Sequence, residues 1–328
     1  MQRLRDIFDP FLLLLICTVA LASFLPAHGQ GARIAGAAAD AGIVLLFFLH
    51  GAKLSRDAIW SGTKAWKLHL ATLGTTFVLF PLIGLLTQQV TAIPLSMRAG
   101  LLFLTLLPST VQSSIAFTAI ARGNVAAAVV SASFSNLLGI ALTPLLVALM
   151  MDRSGTGHLI SLSSIEDILL QLLLPFALGH LARPWIGSFA SRHKAMLGRV
   201  DRGSILLVVY SAFSAAVVEG LWHKVSRGEL LLLAAICSAL LIFVLLFTLG
   251  LGRLLGFARE DAIVLQFCGS KKSLASGVPI AGVLFPASAV GPMLLPLMLF
   301  HQIQLMACAV LARRYGAAAD ESRLATAG

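Results

Sequence analysis

Along most of this chain the apolar residues run in unbroken stretches. They do not alternate at the spacings that mark a half-buried strand or an amphipathic helix. Short gaps holding charges, tryptophan or Gly/Pro clusters separate the stretches. The pattern predicts ten units, at 10–27, 33–52, 67–88, 96–122, 124–150, 163–183, 203–221, 229–252, 260–285 and 288–312. Most hold the roughly 20 residues a helix needs to cross a bilayer core about 30 Å thick. Two of them, 96–122 and 260–285, are interrupted in the middle by polar residues.

Composition supports a membrane reading. Of 328 residues, 58% are hydrophobic and 12% charged, against about 25% charged in a soluble domain. Water could not solvate a fold with so much apolar surface, so the expected solvent is lipid. The net charge of +10 does not point to nucleic acid. The basic residues fall in the gaps between apolar runs, as they do beside membrane spans. Cys17, Cys237, Cys268 and Cys308 lie inside apolar stretches without CxxC or Cys/His spacing. Neither disulfides nor a metal are expected, and no resident cofactor. The start of the chain, with Arg3, Arg5, FLLLLICTVALASFL and PAHGQ, has the outline of a signal peptide. Because apolar stretches continue to Leu311, it reads as an uncleaved first span.

Ten spans permit a test of orientation. With the N-terminus in the cytoplasm, the outside gaps hold only Arg33, Arg98, Arg153, Lys224 and Arg227. Apart from Lys271 and Lys272, the rest of the 24 Lys and Arg fall inside. This bias follows the positive-inside rule and places both termini in the cytoplasm. Trp60, Trp66, Trp185 and Trp222 all fall at span ends or in gaps, as an interfacial belt predicts. The longest basic gap (183–203) reads as a cytoplasmic linker between two five-span halves. Residues 1–183 then hold the first repeat and the first span of the second, and 203–328 the remainder. An odd number of spans per half makes any internal repeat an inverted one.

The second interrupted unit contains FCGSKKSLASGVPIAG (267–282). Lys271 and Lys272 stand near its centre, half a membrane from either end. A lysine there costs about 2.5–3.5 kcal/mol on insertion scales, so both must point into the bundle, towards water, a counter-ion or a helix end. A break beside Gly269 would put Lys271 at the negative end of one half-helix. It would also expose the anion-binding N–H groups of a second half-helix from about Ser273. The first interrupted unit, LLPSTVQSSIAFTAIARGN (106–124), answers with Pro108, Ser109, Thr110, Gln112, Ser113 and Ser114. Both interruptions fall in the fourth unit of their half. Paired broken segments are the best sequence pointer to a transporter's site. Close packing of small residues is the alternative role for the serines. Asp40 is the clearest carboxylate inside a span and a candidate counter-ion. His50, His69, His180 and His301 read as packing or interfacial residues rather than proton relays.

LPSTVQSSIAFTAIARGNVAAAVVSASFSNLLGIALTPLL (107–146) and FCGSKKSLASGVPIAGVLFP (267–286) resemble the bile acid:sodium symporter superfamily. The likeness is to its SBF-like branch, which FFLHGAKLS (47–55) also fits, and it extends over essentially the whole chain. The resemblance implies an all-α polytopic membrane protein of about ten transmembrane helices in two inverted five-helix repeats. The fourth and ninth helices would be broken and would cross near the midplane. A core domain (spans 3–5 and 8–10) would face a panel domain (spans 1, 2, 6 and 7), with ions behind the crossing and substrate in the cleft. It also implies a secondary transporter of a sterol-like or other amphipathic acid in a bacterial inner membrane.

The chain departs from the sodium-coupled members. Their Ser-Asn pair in the fourth helix is matched here by Ser114-Ile115 or Ser113-Ser114. Their ninth-helix glutamate and glutamine are matched by Gln266 and Ser270, with Lys271 in place of an asparagine. The sodium-ligating carboxylate is absent. An ammonium 4 Å from a sodium site at an effective dielectric of about 20 repels Na⁺ by about 4 kcal/mol, nearly a thousandfold in affinity. One lysine is therefore expected to act as a built-in cation, which leaves Na⁺ or H⁺ open as the coupling ion.

The expected function is secondary active transport of an organic anion, with substrate or ion contacts from Ser109, Thr110, Gln112, Ser113, Ser114, Gln266, Ser270, Lys271, Lys272 and Ser273. Expected partners are that anion, the bilayer and a second copy in a homodimer, but no nucleic acid. No Walker A motif is present for ATP drive. Two other readings are a non-transporting membrane scaffold or regulator, and an intramembrane hydrolase pairing Ser270 or Ser273 with Lys271 or Lys272. Against the hydrolase, adjacent helical residues rarely face each other, and neither HExxH nor GxSxG is present. The chain does not read as an enzyme.

Overall fold

The computed structural model describes residues 10–53, 65–151 and 162–327, and among these every element is helical. In chain order they are α1 (Pro10–Phe24), α2 (Gly29–Lys53), α3 (Trp66–Thr87), α4 (Leu95–Leu106), α5 (Gln112–Ile120) and α6 (Val125–Met151). Then come α7 (Leu162–Arg192), α8 (Lys194–Val218), α9 (Arg227–Leu254), α10 (Arg259–Gly269), α11 (Leu274–Leu284) and α12 (Ala287–Ala327), with a single helical turn, Leu221–Lys224, between α8 and α9. Six of them, α2, α3, α6, α8, α9 and α12, are long and apolar enough to cross a membrane. Their outward faces carry rows of exposed leucine and isoleucine, such as Leu82 with Leu86 and Ile242 with Leu246. Such i, i+4 rows suit lipid, which imposes no penalty on an apolar surface.

The helices cover the apolar units, but α12 runs on past residue 312 to Ala327, and one predicted gap is corrected. The segment 183–203, expected as a linker, is helical apart from His193, where α7 gives way to α8. Its basic residues alternate with apolar ones at helical spacing. Leu197 and Val200 pack against Phe48 and Leu49 of α2, so this stretch buries an apolar side. Several residues behind the orientation argument (Arg3, Arg5, Arg56, Lys64, Arg153 and Trp60), and the end of the 47–55 motif, lie outside the described residues.

α2 packs along α7 and α8, and α8 also covers α1. α4 lies between α3 and α12, while α9 braces α10 and α12. α8 joins the two groups through α11 and α12. The α2–α7 contact is the tightest. A Cβ on Gly51 would overlap the Phe176 carbonyl, and one on Gly179 would overlap the Phe48 carbonyl. Backbone meets backbone at both points, an approach that only small residues permit. Ser226 and Glu229 form a reciprocal capping box at the start of α9.

Candidate functional site

Both interrupted units are broken, and each break has a local cause. Pro108 forces Leu107 into extended geometry (φ −76°, ψ 155°) and ends α4. A methyl on Gly139 would lie 2.6 Å from the Pro108 ring, so α6 must carry glycine there. α5 then starts at Gln112. In the second unit the Ser270 hydroxyl bonds back to the Gln266 carbonyl at 2.6 Å, and α10 ends at Gly269. Ser273 is extended and caps α11, its hydroxyl accepting from Ser276 N–H at 3.1 Å.

The two breaks touch. Ser273 N–H donates to the Pro108 carbonyl at 2.9 Å, and the Ser114 hydroxyl donates to the Phe267 carbonyl at 3.1 Å. Non-helical backbone at membrane depth needs every polar group satisfied, and a third helix helps here. Gln304 of α12 accepts from Lys272 N–H (2.8 Å) and donates to the Lys272 carbonyl (2.9 Å). The same amide donates to His301 Nδ1 at 2.9 Å. Gln304→Leu orphans both groups of Lys272. We expect it to lower stability by about 2 kcal/mol, measured by thermal melting of the purified protein.

Both lysines are fully buried, 0% exposed, and their environments differ sharply. Lys272 Nζ donates to the carbonyls of Thr76 (2.9 Å), Thr105 (2.8 Å) and Leu107 (2.7 Å), with the Phe80 ring centroid at 4.1 Å. Three acceptors use all three N–H bonds of an ammonium. Thr105 and Leu107 belong to the C-terminal end of α4, whose last carbonyls lack helical donors. Thr76 is freed differently. A π-turn at Thr75–Leu79 gives the Phe80 N–H to Thr75, and the next donor in line, residue 81, is proline and has none. The expected helix-end pairing thus falls to Lys272 rather than Lys271, and the helix end is that of the other broken unit. Lys271 Nζ makes no hydrogen bond. It rests over the Phe117 ring at 4.3 Å and the Phe267 ring at 5.5 Å.

In front of the crossing lies a cavity of about 390 Å³. One wall is polar and belongs to the crossing and α6, with Thr110, Gln112, Ser113, Asn136, Ser273 and Ser276. The Ser276 hydroxyl donates to Asn136 Oδ1 at 2.6 Å. The facing wall comes from α1, α2, α7 and α8 and is largely apolar, with Phe11, Leu46, Phe176 and Ile205. It also carries His50, Asp201 and Arg202. The Arg202 guanidinium lies 5.8 Å from the Phe11 ring centroid. The N-terminal ends of α5 and α11 both border the cavity, so two sets of helix-end N–H groups face it.

The sequence-predicted residues divide into two sets. Thr110, Gln112, Ser113 and Ser273 line the cavity. Ser109, Ser114, Gln266, Ser270, Lys271 and Lys272 are buried behind it. Ser109 N–H is held by Ser135 Oγ (2.9 Å), and Gln266 donates to the Leu245 carbonyl (3.3 Å). Asp40 is exposed on α2, and among the described residues no ion pair joins it to either lysine. Nor does any serine hydroxyl bond to Lys271 or Lys272. Sequence reasoning did not assign Arg202, Asn136, Gln304 or Thr76, and set His50 and His301 aside. Asn136 and Gln304 carried a signal, being amides in the middle of apolar runs.

Broken helices meeting within a helical membrane protein, with a half-polar cavity in front of them, define the class of a membrane transporter. The comparisons with known proteins agree. The model of the SBF-like CPA transporter family (DUF4137) matches residues 9–317, and the chain belongs to that family. It is 56% identical to "Uncharacterized protein PA2026" of Pseudomonas aeruginosa, over all of this chain and 98% of that one. It is 55% identical to "Putative symporter YfeH" of Escherichia coli, over 96% of this chain and 95% of that one. It is 28% identical to sodium/bile acid cotransporter 7 of Rattus norvegicus, over 82% and 80%. The family is one of transporters, not enzymes.

Proposed function

We propose that this protein moves an amphipathic organic anion across the membrane by alternating access, with the substrate in the cavity between the crossing and α1, α2, α7 and α8. One observation carries the reading: the N-terminal ends of α5 and α11 border the same cavity that Arg202 borders from the opposite wall. Helix N-termini and a guanidinium all favour negative charge. The apolar wall around Phe11, Leu46 and Phe176 suits the body of such a molecule. Ten crossings in two inverted repeats, with the crossing as core and the facing helices as panel, complete the proposal. Both termini are cytoplasmic in it, in a bacterial inner membrane, and the cavity opens inward.

Lys272 serves in this scheme as the built-in cation, its ammonium filling a carbonyl nest that a coupling ion would otherwise fill. A thermal-shift screen with cholate and decanoate, run in Na⁺, K⁺ and choline salts, tests both parts. The expected result is stabilisation by the anions in all three salts. In Arg202→Ala the apparent affinity falls about tenfold, equivalent to about 1.4 kcal/mol. Unchanged anion affinity in Arg202→Ala would remove Arg202 from the site, and a strict requirement for Na⁺ would overturn the built-in cation.

A further inference from the structure

Lys271 is left over once Lys272 has its role. An ammonium with no acceptor at membrane depth is among the least favourable arrangements a protein can hold, yet the chain buries it fully. What surrounds it points to a use. Phe117 of α5 and Phe267 of α10 present ring faces. The ionisable groups that face it are the thiols of Cys268 on α10 and Cys308 on α12. Lys272 sends its ammonium away to α3 and α4. Among the described residues no carboxylate forms an ion pair with Lys271.

A hydrogen-bonded line leads from this pocket to the cavity. The Ser114 hydroxyl holds the backbone carbonyl of Phe267 (3.1 Å), whose ring lies beside Lys271, and it lies 3.0 Å from Thr110 Oγ1. Thr110 Oγ1 lies 2.8 Å from Ser113 Oγ, and Thr110 and Ser113 both line the cavity. Each hydroxyl can both donate and accept, so once Ser114 turns from the Phe267 carbonyl a proton accepted on one side can leave on the other. Ser114 and Phe117 are three apart on α5, so the line and the ring beneath the ammonium share one side of that helix.

We propose that Lys271 is the proton-exchange group of this transporter, connected to the cavity through Ser114, Thr110 and Ser113. This rests on the transporter reading above and names its coupling ion as H⁺. The ammonium releases one proton and becomes a neutral amine held against Phe117. The proton passes by hydroxyl reorientation to water in the cavity, and the return path reprotonates the amine. Because Nζ stops short of the line, a rotation of the Lys271 side chain gates each exchange.

The test needs no known substrate. In protein carrying isotope-labelled lysine, one Nζ resonance is expected to change between ammonium and amine shifts across the pH range in which the protein stays folded. That resonance is absent from Lys271→Met. Its exchange with solvent slows severalfold in Thr110→Val and recovers in Thr110→Ser. A Lys271 signal that keeps one form throughout, or that exchanges equally fast in Thr110→Val, overturns the proposal. The anion thermal shift run on the same samples separates the two ideas. Anion binding without titration sinks only the proton role. Titration without anion binding supports the proton role and counts against the organic-anion reading.

Discussion

Lys272→Met is expected to lose on the order of 5 kcal/mol of stability, enough to unfold many proteins outright. Methionine fills similar volume but donates nothing. The carbonyls of Thr76, Thr105 and Leu107 would stay buried without a donor, at about 1–3 kcal/mol each. Lys272→Ala keeps those carbonyls and adds room. If the ammonium stands in for a metal cation, Na⁺ or K⁺ should raise the melting temperature of Lys272→Ala and leave the wild-type protein unmoved. Wild-type stability in Lys272→Met would refute this account of the crossing. The neighbouring substitution makes a sharp contrast. Lys271→Met removes an ammonium with no hydrogen bond and puts sulfur beside two rings, a favourable contact. It should melt at or above the wild-type temperature.

The second large effect is expected where α2 meets α7. Gly51→Ala and Gly179→Ala each drive a methyl into a backbone carbonyl, which no rotamer change can relieve. The helices must separate, at a cost on the order of 3 kcal/mol. Leu46 and His50 of α2 and Phe176 of α7 line the cavity, so anion affinity should fall along with melting temperature. Gly31→Ala and Gly36→Ala are the controls. Nothing lies within 4 Å of a Cβ at either position, and alanine is the better helix former by about 1 kcal/mol. Equal melting temperatures across all four variants would show that the α2–α7 approach is not tight.

How far the sequence could be read follows from where each signal resides. The breaks were legible because their causes are local: Pro108 acts on Leu107, and Ser270 on the turn before it. Charges in the middle of an apolar run likewise marked Lys271 and Lys272 as internal. The distinction between the two lysines was not legible. It depends on the Thr76 carbonyl, whose release comes from a π-turn and a proline 5 residues later in a helix 196 residues from Lys272. Residues 183–203 misled because their basic content resembles a connecting loop, while Leu197 and Val200 quietly bury one side. Arg202 was counted as a loop charge for the same reason, and so its place in the cavity wall was missed.

The nest around Lys272 also has a mechanical meaning. One ammonium is tied to α3, to the end of α4 and, through its own backbone, to Gln304 of α12. None of these can slide past another without stripping a charged group of its ligands in a medium that offers no replacement. In the alternating access proposed above, a swing of the cavity would take them as a single block, with the slip plane where α8 meets α11 and α12.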